Sequence, residues 1–434
     1  MNIIQLTPGS GDTFYCENCL RDAVMVRSWR KLGHDALVVP LYLPVQMDDV
    51  AKGKTSEIFM GGINVYLQQK SALFRKTPRW IDRWFDRPGL LRWLSRRAFS
   101  TSANDLAETT ISMLEGQQGH QAKELERLVH WLSQQHRPDV VCLSNALLSG
   151  LAGHIRREVD VPIVCLLQDE HEFVDELPEP ARTQVWDLLT KRAADIDMYV
   201  AVSHYYSQFM RTRLDLQADH IRVVPPGISP GEFEPAAQPP QPPTIGYLSR
   251  ASRDKGLDIL VEAFILLKRN GRLKKVRLRI AGGKTPENDP YLEEIHTRLR
   301  EAGCLEDVEF LDYSYTQRYA FLRSLTVLTV PERTGPAYGL YALEALASGV
   351  AVVEPPVGVF SEMSDIFDEG LILLKENNPS CLAEALEPLL LEPDRAYRMG
   401  STGRKQIKDA FDVDKNAEKM IAVFLEAQKR FENK

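Results

Sequence analysis

The sequence predicts an α/β protein made of two parallel-sheet domains, on three observations. Short runs rich in Val, Ile and Leu alternate with longer helical patterns along most of the 434 residues, as parallel strands with crossover helices require. The runs fall into two series, and a proline-rich segment separates them. Near-continuous apolar character within each run means strands covered on both faces.

The first series is expected at residues 2–6, 36–40, 63–67, 139–143, 162–167, 198–202 and 221–224. The second is expected at residues 244–248, 276–281, 308–311, 325–330, 350–354 and 371–374. Between them, residues 226–243 read PGISPGEFEPAAQPPQPP. Proline lacks the amide donor and fixes its own backbone, so this stretch reads as an interdomain connector. Domains at 1–225 and 244–412 follow, with residues 413–434 a terminal segment. Two open parallel sheets joined by a hinge are expected to face one another across a cleft, with ligand at the carboxyl ends of the strands.

Composition excludes several classes. Lys plus Arg number 53 against 60 Asp plus Glu, a formal charge of −7, and such a balance disfavours a nucleic-acid protein. No run reaches the roughly 18 apolar residues of a membrane span, and the start lacks a basic region followed by a long apolar one; a cytoplasmic protein is expected. The six cysteines are sparse. Cys16 and Cys19 form a CxxC with no second pair at metal spacing, so packing is the expectation and no metal site is assigned. Residues 71–100 carry eight basic residues against Asp82 and Asp86, and also Trp80, Trp84 and Trp93. Two readings stay open for this insertion: a solvated element whose Trp residues pack inward, or a site for an acceptor or an anionic surface, with peripheral membrane contact.

Three stretches can carry chemistry. After the first strand, Gly9, Ser10 and Gly11 make a turn into a helix, where backbone amides can approach phosphate oxygens. It is not the dinucleotide fingerprint, because Phe14 stands where the third glycine belongs, nor is it a Walker A loop. At residues 249–257, Arg250 ends a strand and Lys255 begins a helix. Two cations at one strand-to-helix turn suit a diphosphate. Farther on, Tyr338, Gly339 and Leu340 open a helix that carries Glu344. Its first amides suit an anion, and a carboxylate one turn along can grip the vicinal hydroxyls of a ribose.

These residues fall in an order that resembles the retaining glycosyltransferases of family 4, which have the GT-B fold. Eight elements carry the resemblance: the Gly9 to Gly11 loop, Lys31-Leu32-Gly33-His34-Asp35, Val202-Ser203, Val224-Pro225-Pro226-Gly227-Ile228, Ser249-Arg250 with Lys255-Gly256, Ile280-Ala281-Gly282-Gly283, Tyr338-Gly339-Leu340 with Leu343-Glu344-Ala345, and Gly358 with Glu362. The resemblance implies that Arg250 and Lys255 hold the donor diphosphate, that Glu344 holds the nucleotide ribose, and that a terminal helix crosses back onto the first domain. Two departures stand out. Eight residues before Glu344, where the family has a sugar-gripping glutamate, this chain has Pro336, and Glu332 is the nearest substitute. After the strand at 162–167, where many relatives have His, it has Gln168, which can bond a sugar hydroxyl but cannot act as a base. Asp169, Glu170 and His171 follow as alternatives. The implied activity moves a sugar from a UDP, GDP or ADP donor to a glycan or lipid-linked acceptor with retention, using neither cofactor nor metal. A nucleotide-sugar-binding protein without transfer, and a GT-B epimerase, remain as alternatives.

Overall fold

In a computed structural model, the structure describes residues 1–8, 17–42, 103–283, 288–311, 317–367 and 369–433. The turn at Gly9, Ser10 and Gly11, the expected strand at 63–67 and the basic, Trp-bearing insertion at 71–100 lie outside the described residues.

Contacts divide the chain into two units, Met1–Pro225 with Asp414–Lys434, and Pro226–Val413. Each contains a six-stranded, wholly parallel sheet. In the first unit the strands are β1 (Asn2–Thr7), β2 (Asp35–Pro40), β3 (Val140–Leu143), β4 (Ile163–Leu167), β5 (Met198–Ala201) and β6 (Ile221–Val223), in spatial order β2-β1-β3-β4-β5-β6. The central strands β3, β4 and β5 are buried at every position, as their unbroken apolar runs require.

The terminal helix Val413–Glu432 belongs with this first sheet. Ala417, Met420, Phe424 and Ala427, spaced at helical intervals, join Trp29, Met25 and strand residues in one core cluster. Phe424 meets Trp29 edge-on at 5.1 Å between ring centroids. At the rim, Arg430 pairs with Asp219 at 2.6 Å and Asn416 donates to the Pro225 carbonyl.

The second unit has β7 (Thr244–Leu248), β8 (Arg277–Ala281), β9 (Val308–Phe310), β10 (Val327–Leu328), β11 (Ala351–Glu354) and β12 (Leu371–Leu373), ordered β12-β11-β10-β7-β8-β9. Gly246 in β7 is a packing glycine: a Cβ there would lie 2.2 Å from the Leu325 side chain.

The proline-rich run, expected as an interdomain connector, is laid along the second unit, which begins at Pro226. Ile228 and Phe233 are both buried. Ile228 exchanges backbone hydrogen bonds with Phe411 and Val413, Phe233 packs edge-on against Tyr319, and Tyr397 donates to the Ala236 carbonyl. Two apolar anchors among the prolines pin the segment. Among the described residues no helix is long and apolar enough to cross a membrane.

Candidate functional site: buried charge at the strand ends

In the second unit, β7 ends at a loop held from several sides. The Tyr247 hydroxyl donates to the Arg250 carbonyl at 2.6 Å, with the Lys255 carbonyl at 3.4 Å. Ser249 and Ala251 donate through their amides to Ala281 and Gly283. Gly282 has a φ of +132°, and a side chain there would strike Ser249. Close backbone approach thus explains Gly282, while Gly283 beside it takes a left-handed φ of +103°. The loop leads into the helix Leu257–Arg269, preceded by Gly256 at φ +70°, where a Cβ would sit 1.9 Å from the Pro331 carbonyl oxygen. The segment after β10 is thereby pressed onto the cation loop.

That contact brings Lys255 to Glu332. The ammonium lies 2.8 Å from Glu332 Oε2, with Lys255 only 7% exposed and Glu332 1%. Glu332 Oε1 accepts from the Tyr341 hydroxyl at 2.7 Å, and its carbonyl accepts from Asn377. Next to it, Arg333 forms a two-point pair with Asp258 at 2.8 and 2.9 Å. Arg250 is different: its side chain is 45% exposed and only loosely paired with Asp254, at 3.5 Å. One cation of the turn is therefore open and the other is held by an internal carboxylate. Glu332, the nearest substitute for the missing sugar-gripping glutamate, has both of its oxygens engaged by protein groups in the interior.

Glu344 lies on the helix Leu340–Ala347, which starts from Gly339 at φ +58°. A Cβ on Gly339 would meet the Phe360 ring at 2.9 Å, and Tyr338 and Leu340 are buried beside it. Arg318 Nη1 lies 2.7 Å from Glu344 Oε1, both side chains being almost wholly buried. Arg318 in turn lies against the edge-on pair of Phe233 and Tyr319 rings, 5.5 and 5.0 Å from their centroids. Among the described residues Glu344 Oε2 has no hydrogen-bond partner. Burial pushes the Glu344 carboxyl up to about 7, against the pull of the Arg318 guanidinium. A buried acceptor atom with nothing to accept from is what a ligand hydroxyl can satisfy. The neighbouring Glu354 is fully buried and its pKa is raised by that burial and by Glu332.

In the first unit, the ends of β1, β3 and β4 meet the helix Glu17–Lys31. Gln168 is 1% exposed, its carbonyl oxygen Oε1 accepts from Arg21 at 2.7 Å, and its amide donates to the Ser144 carbonyl. The side chain thus ties the helix Glu17–Lys31 to the end of β3. Asp169 is partly exposed, in the left-handed region at φ +59°, just before the helix Glu170–Asp175. Glu170 is an interior anchor, accepting from the Ala146 and Gln168 amides and from the Tyr206 hydroxyl; burial raises its pKa. His171 faces the same Tyr206 hydroxyl through Nδ1 at 3.3 Å. Asp22 is buried beside them, its carboxyl pushed up to about 6 by burial despite Arg21.

The sequence reading missed Arg318, Tyr341, Asn377 and the Asp258–Arg333 pair in the second unit, and Arg21 and Asp22 in the first. Arg333 adjoins Glu332 and was findable by charge; Arg318 carries no local signal, because only the tertiary fold sets it against Glu344. Among the described residues no group of three or more His, Cys, Asp or Glu side chains is placed to hold a metal ion.

Comparison with known proteins now bears on these features. Residues 230–406 match the profile of glycosyl transferases group 1, and residues 112–232 that of glycosyltransferase family 4. A D-inositol 3-phosphate glycosyltransferase of Corynebacterium aurimucosum is 27% identical over 59% of this chain and 65% of its own length. A GDP-mannose-dependent alpha-(1-6)-phosphatidylinositol monomannoside mannosyltransferase of Mycobacterium tuberculosis is 30% identical over 47% of this chain and 55% of that one. The chain thus aligns with a little over half to two thirds of these relatives. Among solved structures, Anabaena HepE in complex with UDP superposes with a TM-score of 0.68 at 14% identity, covering 98% of this chain and all of that one. Sucrose-phosphate synthase from Thermosynechococcus elongatus gives 0.69 at 16% identity, covering 98% of each. With two contiguous profiles running from residue 112 to 406 and whole-chain likeness of fold, this chain belongs to the GT-B glycosyltransferases of group 1, family 4.

Proposed function

We propose that the chain transfers a sugar from a nucleoside-diphosphate donor to an acceptor hydroxyl with retention of configuration, without metal or other cofactor. The observation that carries this reading is the strand-to-helix turn after β7, where Arg250 is open and Lys255 stands just before the helix Leu257–Arg269. The chemical difficulty is charge gathering on the departing diphosphate as the sugar carbon becomes cationic. Arg250, Lys255 and the helix start at Gly339 supply positive potential where that charge grows. Glu344 offers its unpartnered oxygen to a ribose hydroxyl, and a donor phosphate oxygen takes the acceptor's proton on the same face.

The named substrates of the relatives support an acceptor among inositol phosphates, glycolipids and glycans. UDP in HepE and GDP-mannose in the mycobacterial enzyme support a nucleotide-sugar donor. Removing one stabilising donor of this kind costs about a hundredfold in rate. Incubation with UDP- and GDP-sugars and inositol-containing acceptors should release nucleoside diphosphate, and Arg250→Ala should slow it by about that factor. Unchanged release in Arg250→Ala would refute the assignment. The engagement of Glu332 by Lys255 favours a second reading, a nucleotide-sugar-binding protein; saturable donor binding with no diphosphate release under any acceptor would select it.

A further inference from the structure

We infer that Glu332 is an internal competitor for the anion, so that a diphosphate binds only as Lys255 exchanges a carboxylate for a phosphate. The inference rests on the reading of the β7 turn as a diphosphate site and adds a residue that sets its affinity.

The geometry is specific. Lys255 and Glu332 are paired at 2.8 Å in the interior, and the segments that carry them are pinned along their length. Gly256 abuts the Pro331 carbonyl, the Arg333 amide donates to the Asp254 carbonyl at 2.8 Å, and Asn377 holds the Glu332 carbonyl. The pair is thus preformed, and the loop need not rearrange to make it. A carboxylate that loses a cation inside a protein is costly. Here the Tyr341 hydroxyl still donates to the other oxygen of Glu332 after exchange. Tyr341 therefore stabilises the exchanged state, whereas the charge of Glu332 opposes it. An anion must carry enough charge to displace the carboxylate, which favours a diphosphate over a singly charged oxyanion.

The two side chains carry opposite signs in a binding experiment. Inorganic pyrophosphate and UDP are titrated calorimetrically into the full chain, the Glu332→Gln variant and the Tyr341→Phe variant, with inorganic phosphate as a third ligand. Glu332→Gln is expected to tighten pyrophosphate about tenfold or more, the scale of coupling between close buried charges, and to narrow its advantage over phosphate. Tyr341→Phe is expected to weaken pyrophosphate severalfold. A merely structural role moves both variants the same way, so weakening by both overturns the inference. Equal affinity in Glu332→Gln and the unaltered chain overturns it as well. Should Glu332→Gln fail to fold, unaltered or tighter binding by Tyr341→Phe alone rejects the exchange. Absence of any pyrophosphate or UDP binding by the unaltered chain removes the diphosphate site itself and the inference with it, whereas UDP binding that Glu332→Gln leaves unchanged removes only the inference.

Discussion

Replacing Lys255 by Met strands a carboxylate. Glu332 is 1% exposed and the ammonium 2.8 Å away is its cationic partner, so the variant leaves a charge in the interior with only the Tyr341 hydroxyl and its remaining contacts. Removing one partner of a buried pair costs about 3–5 kcal/mol. In a unit the size of residues 226–413, each kcal/mol moves the midpoint by about 2–4 °C, so the second unit should melt about 6–20 °C lower. Replacing both partners, as in Lys255→Met with Glu332→Leu, removes the stranded charge and should recover most of that loss, since an apolar pair of similar volume is often neutral or better. Differential scanning calorimetry of the two single variants and the double gives the coupling directly. Single variants that melt within a degree of the unaltered chain, or a double variant that merely sums them, would refute the buried-pair argument.

Three more outcomes are expected. Burial holds Glu344 near 7 in the folded protein against an ordinary 4.5. Over that interval the folded state carries the extra proton, so stability falls as pH rises from about 4.5 to about 7, by at most about 1.4 kcal/mol per pH unit. Glu344→Gln should flatten this part of the melting-versus-pH curve, and an unchanged slope counts against it. Gly256→Ala places a Cβ against the Pro331 oxygen at a positive φ; it should cost about 2 kcal/mol or more, and a near-neutral denaturant midpoint would mean the loop yields. Phe424→Ala removes the ring packed on Trp29 and should cost the first unit about 3–5 kcal/mol, read by near-ultraviolet circular dichroism and urea unfolding.

How much of this was legible depended on whether the signal was local. The strand runs were, because burial on both faces demands unbroken Val, Ile and Leu, as in IVCLL at β4; the described strands fall within a residue or two of their expected limits at most ends. Gly282 after β8 and Gly256 before the helix at Leu257 stand out in the sequence too, and each sits at a close backbone approach. Partnerships between distant residues do not. Nothing near Lys255 announces Glu332, 77 positions later, and nothing near Glu344 announces Arg318. The proline run reads as a connector from its composition, while the packing of Ile228 and Phe233 on the second unit is a tertiary fact. The partners of Gln168 were hidden too, because a strand-end polar residue reads alike in sequence whether or not it is bonded to groups such as Arg21 and the Ser144 carbonyl.

The central claim is that the turn after β7 receives the donor's diphosphate while Glu344 receives its ribose. A crystal structure grown with a UDP- or GDP-sugar tests it most directly. The account predicts phosphate oxygens within hydrogen-bond distance of the Arg250 guanidinium and the Lys255 ammonium, with a ribose hydroxyl on Glu344 Oε2. A nucleotide bound elsewhere, with Lys255 still on Glu332 and Glu344 Oε2 untouched, would contradict it.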